Sequence, residues 1–313
     1  MSGPSKPTPF RILVIKLGAL GDFVQAMGPA AAIRAHHPAD EITLLTAPAF
    51  AELAKSSPYF DRIWLDDRPG WLRPLALWRL GRKLRRENFA RIYDLQTSDR
   101  SGLYFRLLGR DRPEWSGIAA GSSHPHANPD RDAMHTIDRQ AEQLAMAGIV
   151  SVPAPDLAWA ARDVSRFRLH GKFLLLVPGG ASHRPEKRWP TARYAEIAQL
   201  AAQRGVTPVI IGGADETAIG AEILRACPAA RDLTEQTSFG DLVALGRDCL
   251  YALGNDTGPM HLIVAGGADA SVLYSGASDP DLTAPRGRRV TVLRRPDLAR
   301  LSVAEVVATL PLG

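Results

Sequence analysis

Gly254-Asn255-Asp256-Thr257-Gly258-Pro259-Met260-His261 stands between two apolar runs, residues 249–253 and 262–265. An apolar run, a tight polar turn and a second apolar run predict a strand, a turn and a helix. Pro259 suits the first helical turn, where its missing N–H would have had no partner anyway. Thr257 is placed to cap that helix through its hydroxyl. Gly258 lets a ligand come close to the backbone. The exposed N–H groups and the helix dipole then form an anion site, most simply for phosphate. Read from its residues alone, the turn stands open between such a site and an ordinary capped strand-to-helix corner.

The flanking sequence repeats the strand-turn-helix pattern. Residues 173–177, Phe-Leu-Leu-Leu-Val, predict a buried strand running into Pro178-Gly179-Gly180-Ala181-Ser182. A Gly-Gly turn can bring N–H groups to a phosphate, and Lys187 adds a compact positive charge. The alternative is a surface loop with a solvated lysine. Pro190 opens the next helix, and residues 207–213 the next strand, after which Asp215 and Glu216 start a helix. Thr237 and Ser238 cap another helix. Residues 270–274 are a further strand, and residues 301–310 a last helix. Asp279-Pro280-Asp281 spells the Asp-x-Asp of metal-dependent sugar transfer, but three residues in a Pro-rich loop carry little weight.

The first half alternates in the same way. Residues 11–16, Arg-Ile-Leu-Val-Ile-Lys, read as a buried parallel strand. A turn from Leu17 to Gly21 leads to Asp22, which begins a helix reaching Ala35. A carboxylate at a helix N-terminus is held ionised and can take a proton from a hydroxyl as a general base; equally, it can serve only its own helix. Residues 41–46, 62–65 and 90–95 are predicted strands, and residues 50–55 and 135–148 helices. Residues 68–91 hold eight basic residues and one acidic. Three readings of this segment stay open: an interfacial helix on an anionic membrane, a grip on a phosphorylated acceptor, or a solvated helix face. The residues at stake include Arg73, Arg79, Arg82, Lys83, Arg85 and Arg86. Residues 117–131 predict a mobile substrate-side loop, whose His124 and His126, with His135 nearby, lack a metal-ligand framework.

Composition sets bounds. The chain has 313 residues, 45% hydrophobic and 23% charged, enough for about two domains with real cores. The net charge of +5 favours acidic partners. Cys227 and Cys249 form no disulfide or metal framework, which fits a reducing compartment. Residues 1–10, with three prolines, read as a disordered leader without the apolar core of a signal peptide. No run reaches the length of a membrane span. The dinucleotide pattern Gly-x-Gly-x-x-Gly and the Gly-Lys-Ser/Thr phosphate loop are both absent.

Four motifs in order resemble those of glycosyltransferase family 9, the lipopolysaccharide heptosyltransferases. They are Lys16-Leu-Gly-Ala-Leu-Gly-Asp-Phe-Val with Pro29-Ala30, the Pro178-Gly turn with Lys187-x-Trp-Pro, Asp232-Leu-Thr with its capped helix, and Asp256-Thr-Gly-Pro-Met-His. The family's usual Gly-Pro-Thr-Asp-Pro is Gly276-Ala-Ser-Asp-Pro here, so donor contacts in that loop are in doubt. The resemblance covers residues 11–285. It implies an α/β fold of GT-B architecture, with two Rossmann-like domains facing a central cleft: 11–160 for the acceptor, 161–295 for the nucleotide-sugar, and a helix in 296–313 packing back on the first domain. It implies an inverting, metal-independent glycosyltransferase without cofactor that moves heptose from ADP-heptose to a lipopolysaccharide inner-core acceptor. Asp22 would be the catalytic base. Gly180, Ser182, Lys187, Glu216, Asp256, Thr257, Gly258 and His261 would meet the donor. Gly18, Gly21, Arg79, Arg82 and Lys83 would meet the acceptor. Expected partners are the donor and an anionic glycolipid, at the cytoplasmic face of the inner membrane and not on nucleic acid. A nucleotide-sugar epimerase, a non-catalytic binding protein and an NAD-dependent oxidoreductase remain the other readings, the last disfavoured by the missing dinucleotide pattern.

Overall fold

The computed structural model describes residues 9–66, 74–181 and 183–312. The expected leader up to residue 8, the start of the basic segment with Arg73, and Ser182 lie outside them. By packing the chain divides into two compact units. The first takes residues through Ala19 together with Ala26–Pro153. The second takes Leu20–Gln25 together with residues from Ala154 onward.

The first unit is built on β1 (Arg11–Ile15), β2 (Glu41–Thr46), β3 (Arg62–Leu65), β4 (Arg91–Asp94), β5 (Glu114–Gly117) and β6 (His124–Pro125). They form one parallel sheet in the order β3-β2-β1-β4-β5-β6. The strand-helix alternation demands this, because parallel neighbours need a crossover, and a helix is the compact one. Its helices are α2 (Met27–His36), α3 (Ala51–Ser56), α4 (Pro74–Arg86), α5 (Asp99–Leu107) and α6 (Thr136–Met146), while α1 (Leu20–Gln25) belongs to the second unit. Leu13, Ile15, Trp64, Ile92, Tyr104, Phe105 and Trp115 lie in its core. The expected loop 117–131 instead contributes β6, two residues pairing Ser116 with His124 and Gly117 with Pro125.

The second unit repeats the plan with β7 (Phe173–Val177), β8 (Thr207–Ile210), β9 (Arg231–Asp232), β10 (Tyr251–Asn255), β11 (Ala270–Tyr274) and β12 (Val290–Arg294). The order is β12-β11-β10-β7-β8-β9, all parallel. Counted from each unit's own first strand, both sheets have the dinucleotide-fold order 3-2-1-4-5-6. The helices are α7 (Thr191–Gln203), α8 (Thr217–Ala226), α9 (Phe239–Asp248), α10 (Gly258–Ala265), α11 (Pro280–Thr283) and α12 (Val303–Val307). The C-terminal segment is shorter in helix than expected, and Leu298, Leu301, Val306, Leu310 and Leu312 are buried in the second unit's core. Among the described residues no helix is long and apolar enough to cross a membrane.

The helix expected from Asp22 to Ala35 is two helices, broken at Ala26. Pro29 is the cause. It has no N–H to give the carbonyl of Gln25, and its ring would clash there. The break frees α1 to pack separately from α2.

Candidate functional site

In a sheet of this order, ligands lie beyond the carboxyl ends of the strands where the order reverses. In the second unit that point falls between β7 and β10, paired through Val177 and Gly254. β7 runs into Pro178-Gly179-Gly180 and β10 into Asp256-Thr257-Gly258, so two of the sequence motifs are brought side by side by the topology.

Asn255 joins them. It is fully buried, and its Nδ2 donates to the Pro178 carbonyl at 2.7 Å and the Gly179 carbonyl at 3.0 Å. Its Oδ1 accepts from the Trp189 N–H at 3.1 Å and the Tyr194 hydroxyl at 3.0 Å. Asp256 follows, and its carboxylate meets Lys187 Nζ at 2.7 Å. Burial pushes the Asp256 carboxyl up, but Lys187, then Ser278 and the nearby His261, more than offset this and hold it below the usual carboxylate range. The pair is therefore ionised and hydrogen-bonded, as a half-buried charge pair must be.

Glu216 lies under the glycine turns. Its Oε2 accepts from the Gly213 N–H at 2.9 Å, and its Oε1 is 3.4 Å from Arg188 Nη2, which also donates to the Gly180 carbonyl. A Cβ on Gly179 would stand 2.7 Å from the Glu216 carboxyl carbon, so any side chain there would displace the Glu216 carboxylate. Arg188 and Asn255 thus hold the Gly180 turn from two sides.

Thr257 occupies the N-cap position of α10 in extended conformation, and Pro259 is in the first turn as expected. The Thr257 hydroxyl, however, accepts no helix N–H. The close approach that Gly258 permits in the structure is that of Leu20: a Cβ on Gly258 would lie 2.8 Å from Leu20 Cβ. In the same contact a Cβ on Gly21 would lie 2.8 Å from the His261 ring. Helix α1 therefore sits directly on α10, and Asp22, in the first turn of α1 and half-buried, shares one compact unit with Lys187, Asp256 and His261.

The remaining site residues are placed as follows. Gly18 lies in the first unit with a φ of 120°, a backbone that favours glycine. Beside it the Leu17 N–H donates to Gln96 Oε1, and Lys16 Nζ donates to the Leu95 carbonyl. Arg79, Arg82 and Lys83 stand on α4 of the first unit. Arg82 lies over the Trp78 ring and Lys83 over the Trp64 ring, at 4.8 and 3.7 Å from the centroids. Burial lowers the Lys83 pKa. The loop histidines do not gather: His124 Nδ1 meets Ser123 Oγ, and His135 Nδ1 accepts from the Ile137 N–H to cap α6. Asp279 accepts from the Asp281 N–H and pairs with Arg294 at 3.2 Å, so the Asp-x-Asp serves α11 as a cap. Among the described residues no three His, Cys, Asp or Glu side chains are grouped to hold a metal ion.

Asn255 and Arg188 are the site residues that motif reading passes over. Their neighbours in sequence, Asp256 and Lys187, were the available signal.

Comparison with known proteins identifies the family and the fold. Residues 77–306 match the family model Glycosyltransferase family 9 (heptosyltransferase). The lipopolysaccharide heptosyltransferase 2 of Salmonella typhimurium is 28% identical, over 91% of this chain and 88% of its own length. Among solved structures, the E. coli ADP-heptose LPS heptosyltransferase II is similar with a TM-score of 0.78 at 22% identity, covering 96% of this chain and 97% of that one. The E. coli heptosyltransferase WaaC with ADP has a TM-score of 0.74 at 18% identity, covering 96% and 98%. The fold is thus the GT-B-like heptosyltransferase fold.

Proposed function

The chain belongs to glycosyltransferase family 9, and on that premise we propose that it transfers heptose from ADP-heptose to a lipopolysaccharide inner-core sugar with inversion and without a metal. Asp22 takes the proton of the acceptor hydroxyl. The hydroxyl oxygen attacks the anomeric carbon from the face opposite the diphosphate. The bond from that carbon to the diphosphate oxygen breaks, and ADP leaves with the electron pair. Lys187 and the N-terminus of α10 stabilise the charge that grows on the leaving diphosphate. Glu216 receives the ribose or base of the donor, while the Gly180 turn faces the diphosphate, where Ser182 is assigned from sequence alone. Asp256 keeps Lys187 in place, and His261 supports both.

The observation that carries this reading is the packing of α1 on α10, with Gly21 against His261 and Leu20 against Gly258. It sets Asp22 in the same compact unit as Lys187, Asp256 and α10, which supports a base acting beside the diphosphate. ADP as the nucleotide and the lipopolysaccharide core as acceptor are supported by what the relatives are named for. The acceptor is a phosphorylated glycolipid, so the reaction takes place at the cytoplasmic face of the inner membrane. There the basic face of α4, with Arg79, Arg82 and Lys83, meets the acceptor or the lipid around it.

The test is calorimetric titration with ADP, UDP, GDP and NAD, alongside transfer assays of Asp22→Asn. ADP binds preferentially, and Asp22→Asn keeps ADP affinity while transfer is abolished. Preference for another nucleotide changes the donor. Binding of NAD alone removes the reading, and loss of ADP affinity in Asp22→Asn removes Asp22 from the role of base.

A further inference from the structure

Helix α1 has six residues, too few to be held by its own hydrogen bonds. Its position is set by what it touches. The contacts of Gly21 with His261 and of Leu20 with Gly258 fix how closely it approaches α10. Phe23 and Val24, both buried, seat the same helix by packing, and packing contacts set distance more sharply than direction.

Gln25 adds a directional contact. Its side chain is buried, and Nε2 donates to the Thr283 carbonyl at 3.0 Å and is 3.4 Å from the Ala284 carbonyl. These carbonyls close the short helix α11, where the last turn has no helical N–H to accept from. Asp22 and Gln25 are three residues apart on α1 and so project from neighbouring rows of the helix. Turning the helix at Gln25 turns Asp22 by the same angle.

We propose that Gln25 is a positioning residue for the transfer reaction: its amide, anchored on Thr283 and Ala284, fixes the rotation of α1 and thereby the direction in which Asp22 presents its carboxylate. This rests on the reading of Asp22 as the base. The demand on direction is strict, since a small misplacement of a reacting group costs orders of magnitude in rate while binding elsewhere is untouched.

Gln25→Met keeps the length of the side chain and removes both donors. In the full chain it lowers kcat by roughly 10- to 100-fold, with the donor KM and the ADP dissociation constant within about twofold of wild type. Gln25→Glu sets a carboxylate against two carbonyl oxygens and is impaired at pH 8. On protonation it regains a donor, so its activity relative to wild type rises as the pH is lowered toward 5.5. A purely structural loss would show in ADP affinity as well, which in both variants stays within about twofold of wild type. An unchanged kcat in Gln25→Met, or ADP affinity lost in step with kcat, overturns the proposal. Asp22→Asn, assayed in parallel, separates the two readings. If it retains transfer, the base assignment itself fails; if it is inactive while Gln25→Met is normal, only the positioning role fails.

Discussion

Asn255 uses both donors and both lone pairs of its amide, which is the full capacity of that side chain. Replacing it with leucine leaves four buried groups without a partner. Asn255→Leu is expected to lose about 3 kcal/mol of stability or more, read by urea unfolding, and to weaken ADP binding because the Pro178-Gly179 turn loses its anchor. Asp94 is the opposite case, a carboxyl with a burial cost. Burial raises it from 3.8 to about 6, although the N–H groups of Thr97 and Gln96 donate to its Oδ1 at 2.9 and 3.1 Å. The folded protein therefore binds this proton more tightly than the unfolded chain does. The contribution of Asp94 to stability falls as the pH rises from about 4 to about 6 and is level above that. Asp94→Asn keeps the acceptor for both N–H groups. It is expected to flatten this slope and to raise stability at pH 8 by up to about 3 kcal/mol, measured by unfolding across pH. Lys187 and Asp256 were legible as candidates because they are charged residues within motifs. Asn255 was not, since its partners at Trp189 and Pro178 are 66 and 77 residues away, and nothing local marks a polar side chain as buried.

At the level of elements, α4 shows what periodicity reveals. Leu77, Gly81 and Leu84 are buried, the four- and three-residue spacing of one helix face. The other side carries Leu75 and Trp78, 58% and 51% exposed, beside Arg79 and Arg82. A tryptophan and a leucine left in water among arginines suit an anionic lipid surface. Arg79→Glu with Arg82→Glu is expected to cut binding to vesicles containing anionic phospholipid by about tenfold or more, with ADP affinity unchanged. Binding that survives the double reversal leaves this face as plain solvated surface. Where a single residue interrupts an element, period alone misleads. The apolar pattern from Asp22 to Ala35 reads as one helix, and the break follows from Pro29, whose effect falls one turn earlier at Gln25. The ends of elements without strong caps shifted too. The last helix shrank to Val303–Val307: the capping box of Ser302 and Glu305 fixes its start two residues later than expected, while its far end has no comparable cap.

At the scale of the molecule, the alternation of strands and helices was readable because buried parallel strands are unbroken apolar runs. Residues 41–46, 62–65, 173–177 and 270–274 emerged with the expected ends. The second strand series is as regular as the first, and both adopt the same order. β6 escaped notice because two residues in a polar, proline-bearing stretch carry no period. Which helix joins which unit was hidden altogether, since contact between residues 20–25 and residues 258–261 leaves no trace in local composition. That assignment matters for building chimaeras. A recombinant made by joining two relatives at a single crossover near residue 154 would set α1 from one parent against α10 from the other, with Gly258, His261 and the Thr283 carbonyl facing a foreign partner. The exchangeable block is discontinuous: residues 20–25 must be transplanted together with everything from 154 onward.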